Sequence, residues 1–231
     1  MQIFSWFYNI VMCNNFWRYA LSSKVNCSGA FLNHTTLKII GADSRVILMP
    51  GTRLSHCKLF LYGNKCTFVI GGGMTKVVNT VFYMEDDGSS ITIGRDFTME
   101  SGHIASTEGK SIIIGDDCMF SNDVEIRNGD SHPILDKETG KRTNNAALVT
   151  IGDHVWITAH VRILKGAVIP DGSIIGNSSV LSAKFKDKNS VYAGIPAKFL
   201  KSNIMWERDR QKYINHGNKY SSQNISNHSL F

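Results

Sequence analysis

From Ile151 to Leu181 the chain repeats every six residues without a slip, and few folds tolerate that period. Ile151, Ile157, Ile163, Ile169, Ile175 and Leu181 fall on one phase. Val155, Val161, Ala167, Ser173 and Ser179 follow four positions after each of the first five. An α-helix repeats its faces about every 3.6 residues and a strand every second residue, so neither produces this beat. A parallel β-helix does, because its chain winds as a prism. One large aliphatic per hexad points inward, the small or β-branched residue lets the chain turn a corner, and three hexads close one coil. The expected fold is all-β.

The same phase extends backwards with interruptions. Ile93-Gly94-Arg95-Asp96-Phe97 and Ile114-Gly115-Asp116-Asp117-Cys118 copy Ile151-Gly152-Asp153-His154-Val155, and Phe120 and Ile126 continue from Ile114. The 37 residues from Ile114 to Ile151 exceed one coil by about a coil's length, and the excess must leave the prism as a loop. Residues 127–148 are the candidate, with Gly129, Pro133, Gly140 and the pair Asn144-Asn145. A loop this long in a compact domain is usually functional. Ile40 to Ser44 and Leu61 to Cys66 read as degenerate coils, as expected near the end of a repeat array. This predicts an N-terminal cap over 1–36, a β-helix over 37–202, and a short helix with a disordered tail over 203–231.

Residues 1–21 carry Phe4, Trp6, Phe7, Tyr8, Phe16, Trp17 and Tyr19, interrupted by Asn9, Asn14, Asn15 and Arg18. That is too broken to span a bilayer and lacks the pattern of a signal peptide, so a capping helix is expected, with a membrane-surface helix as the alternative. Cysteines at 13, 27, 57, 66 and 118 show no metal spacing, and Cys118 sits at a small corner position. An odd, scattered set fits a reducing compartment, and the cytoplasm is expected. The net charge of +6 resides in residues 184–231, where nine Lys/Arg face Asp187, Glu207 and Asp209. Such a tail suits a solvated surface, an anionic partner or a phosphorylated ligand. It has too few aromatics for single-stranded nucleic acid, which is not expected as a partner.

The string IGDHVWITAHVRILKGAVIPDGSIIGNSSV, followed by AGIPAK, resembles the hexapeptide-repeat acyltransferases, and in particular the sugar and capsular polysaccharide O-acetyltransferases. The resemblance covers roughly residues 91–210. It implies a left-handed β-helix, a homotrimer, and acetyl-coenzyme A bound between neighbouring prisms, with no metal.

Acetyl transfer from a thioester to a sugar hydroxyl needs a base to take the hydroxyl proton and a fixed donor for the charge that builds on the carbonyl oxygen. His is the side chain whose ordinary pKa suits the first task. His132 heads the loop in NGDSHPILD, and Pro133 restricts its backbone to an extended form. The family's catalytic His lies on this loop, so the resemblance gives His132 the role of general base. Asp130 is a candidate to orient the imidazole or simply a turn-forming Asp. Trp156 lies between two inward residues, so its side chain faces outward. The resemblance makes it a platform beside thioester and acceptor. Ala159 matches the position whose backbone N–H addresses the thioester, Asn177 and Ser182 match positions along the pantetheine arm, and Lys198 and Lys201 match basic positions near the phosphates. The family's Lys after Ser182 is Ala183 here, with Lys184 one place later.

On the acceptor side the chain departs from galactoside and maltose acetyltransferases. Their Asn-rich string aligns on DFTMESG, with the acceptor Asn at Gly102, and Glu100 and His103 stand nearby. The loop DSHPILDKETGKRTN favours a surface polysaccharide (capsule, O-antigen or exopolysaccharide) or its precursor. Rival readings are an N-acyltransferase on an amino-sugar nucleotide, a serine or antibiotic acetyltransferase, a zinc carbonic anhydrase, and a non-catalytic scaffold. The anhydrase's close His pair has no counterpart here, since no second His follows His132 until His154.

Overall fold

The computed structural model describes residues 15–217. Its strands stack into the three faces of a left-handed prism. Face A is β1 (Phe16–Tyr19), β4 (Thr36–Ile39), β7 (Lys58–Leu61), β10 (Thr80–Met84), β13 (Gly102–Ser106), β16 (Val124–Arg127), β19 (Arg162–Ile163) and β22 (Val180–Leu181). Face B is β2 (Lys24–Asn26), β5 (Arg45–Leu48), β8 (Thr67–Ile70), β11 (Ser90–Ile93), β14 (Ser111–Ile114), β17 (Val149–Ile151) and β20 (Val168–Ile169). Face C is β3 (Phe31–Asn33), β6 (Arg53–Ser55), β9 (Lys76–Val78), β12 (Thr98–Met99), β15 (Met119–Phe120), β18 (Trp156–Ile157), β21 (Ile174–Ile175) and β23 (Val191–Gly194), closed by the antiparallel β24 (Ala197–Lys201). A short helix, α1 (Gln211–Gly217), follows.

The hexad residues do what their period demands. Ile151, Ile157, Ile163, Ile169, Ile175 and Leu181 are all buried, as are the corner residues Val155, Val161, Ala167, Ser173 and Ser179. The Gly-then-Asp of each I-G-D string has a separate cause. Asp153 Oδ1 accepts the Asp116 N–H of the previous coil at 2.8 Å, and Asp171 Oδ1 accepts the Asp153 N–H at 3.1 Å. A Cβ on Gly115 would lie 2.2 Å from Asp153 Oδ1, so only glycine lets the carboxylate close this corner between faces B and C.

Two expectations need correction. The early coils are not degenerate. Thr36 pairs with Lys58, Lys58 with Val81 and Val81 with His103, coils of 22, 23 and 22 residues, against 18 from Arg162 to Val180. Their strands run to three, four or five residues where β18 to β22 have two, so the chain keeps the prism but loses the six-residue period. The prism also begins earlier than residue 37, because β1, β2 and β3 already pair into the three faces. What is left of the expected cap, residues 1–14, lies outside the described residues. Cys27, Cys57, Cys66 and Cys118 are buried and free, and burial pushes the Cys118 thiol up to about 12, so these are packing groups. No helix among the described residues is long and apolar enough to cross a membrane.

Candidate functional site

The excursion between β16 and β17 is an ordered hairpin at the corner between faces A and B. Leu135 bridges Arg142 in antiparallel fashion, and the Asp136 carboxylate accepts the Thr139 N–H at 2.7 Å to close the tip. Its base is pinned by Asn144, which is buried. The Asn144 amide donates to the His132 carbonyl at 2.8 Å and to Asp130 Oδ2 at 2.8 Å, and its oxygen accepts the Ile134 N–H at 2.7 Å. Lys165, on the next coil, donates to Asp130 at 2.6 Å and to the Asn144 carbonyl at 2.9 Å. Lys165 first, then Asn144, hold the Asp130 carboxyl below its usual range. Arg142 meets Glu108 of the prism, whose other oxygen accepts the Ala146 N–H at 3.0 Å.

His132 therefore has a fixed backbone and an exposed ring, and that ring has no hydrogen-bond partner among the described residues. Asp130 does not touch the imidazole. It holds the hairpin to Lys165, a contact that sequence spacing alone does not reveal. Asn144 and Lys165, which pin the hairpin at this corner, are the residues that sequence reasoning missed. The adjacent Asn pair was the available signal for the first.

The remaining expected residues divide between corners. Ser182 and Lys184 lie at the same A/B corner as the hairpin, and Lys184 bridges to Val168. Trp156 is half-buried on the outer side of face C, above Ile174 of β21. Ala159 and Asn177 form the corner between faces C and A, where the Ala159 carbonyl accepts the Ser178 N–H at 3.0 Å. The Ala159 N–H itself has no acceptor among the described residues. Lys198 and Lys201 are exposed on β24, at the end of face C. Within one chain, His132 and Trp156 are not brought together; the hairpin's corner lies opposite face C.

Face A separates the two corners and carries a cavity of about 300 Å³ at the foot of the hairpin. Tyr83, Glu85, His103, Arg127, Asp130 and Ser131 line it. Of the two side chains noted near Gly102, His103 lines this cavity, whereas Glu100 is exposed and outside the lining. Burial first, then the Arg127 charge, push the His103 pKa below the usual histidine range, so its ring is neutral near neutral pH.

A second feature was not foreseen. The segment after β24 straps across face C. Trp206 is buried and stacks on His154 with ring centres 4.0 Å apart, and it stands 6.0 Å from Trp156. Arg208 donates to Asp117 at 2.7 Å, Thr98 at 2.8 Å, and the carbonyls of Asp96 and Cys118. No group of His, Cys, Asp or Glu among the described residues is arranged to hold a metal ion.

A prism of stacked hexads is the build of the hexapeptide-repeat acetyltransferases, and the chain belongs to that family of enzymes. It is 38% identical over 189 residues to the polysialic acid O-acetyltransferase of Neisseria meningitidis, covering 81% of this chain and 87% of that one. A crystallographic structure of a polysialic acid O-acetyltransferase superposes with a TM-score of 0.72 at 34% identity, over 85% of this chain and 89% of that one. The galactoside O-acetyltransferase of Escherichia coli K12 is 30% identical over 127 residues, 55% of this chain and 60% of that enzyme. No family model matches the chain.

Proposed function

We propose that the protein transfers an acetyl group from acetyl-coenzyme A to a hydroxyl of an acidic capsular polysaccharide, with polysialic acid as the first candidate. The observation that carries this reading is the pinned hairpin, which holds a free imidazole one residue beyond the Asp130 and Ser131 that line a cavity on face A. His132 takes the proton of the attacking hydroxyl, and its immobile backbone keeps the ring near the productive geometry. The unengaged Ala159 N–H is a fixed donor of the kind that stabilises charge on a carbonyl oxygen. The donor set fits coenzyme A: Trp156 offers an apolar platform, Asn177 and Ser182 offer polar side chains along an arm, and Lys184, Lys198 and Lys201 offer cations for phosphates.

Because His132 and Trp156 lie on opposite sides of one prism, a complete site takes its two halves from neighbouring copies. This supports a homotrimer with the hairpin corner of one chain facing face C of the next. Ile134 and Leu135 expose their side chains on the hairpin, 60% and 57% accessible, where a neighbour would cover them. A cytoplasmic location suits the four buried free thiols and the coenzyme.

The test is incubation with acetyl-coenzyme A and polysialic acid, following thiol release and new O-acetyl signals by NMR. Transfer to the polymer is expected. Failure on polysialic acid and other acidic capsules, with N-acetylation of an amino-sugar nucleotide, would replace this reading by its nearest rival.

A further inference from the structure

Face A carries an outward aromatic or cationic side chain on each of five successive coils: Tyr62, Tyr83 and His103 step along one diagonal, and Lys38 and Arg127 stand on the coils beyond its two ends, in register with Tyr83. Lys38 of β4 places Nζ 5.4 Å from the centre of the Tyr62 ring. Tyr62, just after β7, lies 6.2 Å from Phe60 and 5.4 Å from Tyr83 of β10. Tyr83 lies 6.4 Å from His103 of β13, and Tyr83, His103 and Arg127 of β16 enter the cavity beside Ser131. Paired strands are spaced about 4.8 Å apart, so the four steps from β4 to β16 cover ~19 Å. That is the length of several sugar rings rather than one.

The chemistry along this diagonal points to one kind of occupant. The rings are tilted against one another at 41° to 57° and only partly covered, which leaves apolar faces open above a flat sheet. The C–H face of a pyranose covers such a ring while its hydroxyls stay in water. Arg18, Lys38 and Lys58 stand on the same face with no acidic partner among the described residues, whereas Glu125 is already paired with Arg127 and Arg162. Glu85 is the opposing charge. The free charge along the track is positive and complements carboxylates repeated along a chain.

We propose that this diagonal of face A is a docking track for a linear acidic polysaccharide, delivering a chain several sugars long to the cavity beside the His132 hairpin. The proposal rests on the reading above for its acceptor, but its track residues lie away from the reacting groups.

The double variant Lys38→Ala/Tyr62→Ala tests it, since both side chains lie on the surface and outside the cavity lining. The KM for long polysialic acid should rise roughly tenfold, the effect of losing one ring contact and one charge. Turnover at saturating polymer, and all constants for a short sialic acid oligomer, should not change, and Tyr62→Phe should behave as wild type. An unchanged polymer KM, or an equal loss on both acceptors, overturns the track. So does a changed mass in light scattering, which would make the diagonal a contact between copies. Equal wild-type affinity for a neutral linear glucan overturns the acidic preference. Direct binding to polysialic acid without acetyl-coenzyme A separates the two claims. Binding that the double variant loses, in a protein that fails to acetylate the polymer, upholds the track and removes the activity.

Discussion

Three histidines compete for the role of base in the later coils, and their hydrogen bonds separate them. His154 gives one nitrogen to Asp117 at 2.6 Å and the other to the Trp206 carbonyl at 3.1 Å, and His160 is bonded to Asp123 at 2.9 Å. The His132 ring has no such engagement and is free to bond a substrate hydroxyl. His132→Ala should therefore lower turnover about 10²- to 10⁴-fold, the usual contribution of a positioned base, with acetyl-coenzyme A binding retained by calorimetry. His160→Ala should leave turnover near wild type. Asn144→Ala should imitate His132→Ala in part, because it frees both the His132 carbonyl and Asp130. Wild-type turnover in His132→Ala would remove the assignment. In the sequence, Pro133 and the place of its loop drew attention to His132, and the family resemblance alone gave it the role of base. The adjacent Asn pair hinted at Asn144 but not at its partners, and nothing pointed to Lys165, whose partner is set by how the hairpin folds back onto a coil 35 residues further on.

At the scale of elements, the hexads announced themselves because a two-residue strand and a fixed corner leave no freedom of spacing. The first coils did not, since each lengthened strand shifts the phase, and neither did the strap after β24. The basic C-terminal region reads in sequence as a pool of charge, yet Arg208 is spent on four fixed acceptors while Lys198 and Lys201 remain exposed. Replacing both lysines should raise the KM for acetyl-coenzyme A severalfold, because exposed pairs contribute only roughly 0.2–1 kcal/mol each, with turnover at saturating donor unchanged. An acetylated pantetheine without the nucleotide should be insensitive; equal sensitivity would place these lysines elsewhere. The strap itself should loosen in acid. Burial raises the Asp117 pKa, but the Arg208 and His154 hydrogen bonds outweigh it and leave it below the usual carboxylate range. A carboxyl lowered by folding stabilises above its unfolded value of about 3.9 and stops doing so as pH falls through the lower folded value. Proteolysis within residues 203–217 should accelerate over that window, and Trp206→Ala should show the same acceleration at neutral pH.

Over the whole molecule, the faces differ in what they offer a neighbour. Face B runs an outward row of Ile47, Val69, Thr92, Ile113, Thr150 and Val168 across six coils, without a charge. Face A carries the cavity, and the strap and Trp156 occupy face C. In the proposed trimer, a closed ring with face B toward its axis would set face A of each chain beside face C of the next and bring a His132 hairpin and a Trp156 into one cleft. Ile113 is 41% accessible in the single chain, and Ile113→Lys should break the ring because three like charges would meet near the axis. Light scattering should then report monomers, and activity should vanish although every site residue is intact. The shared cleft also predicts complementation. His132→Ala and Trp156→Ala are each expected to be nearly inactive as homotrimers. Coexpressed and randomly assembled, they should recover about a quarter of wild-type turnover, because one cleft in four then combines an intact His132 with an intact Trp156. A site built within one chain would show no recovery at any mixing ratio, since every chain would still lack one of the two side chains.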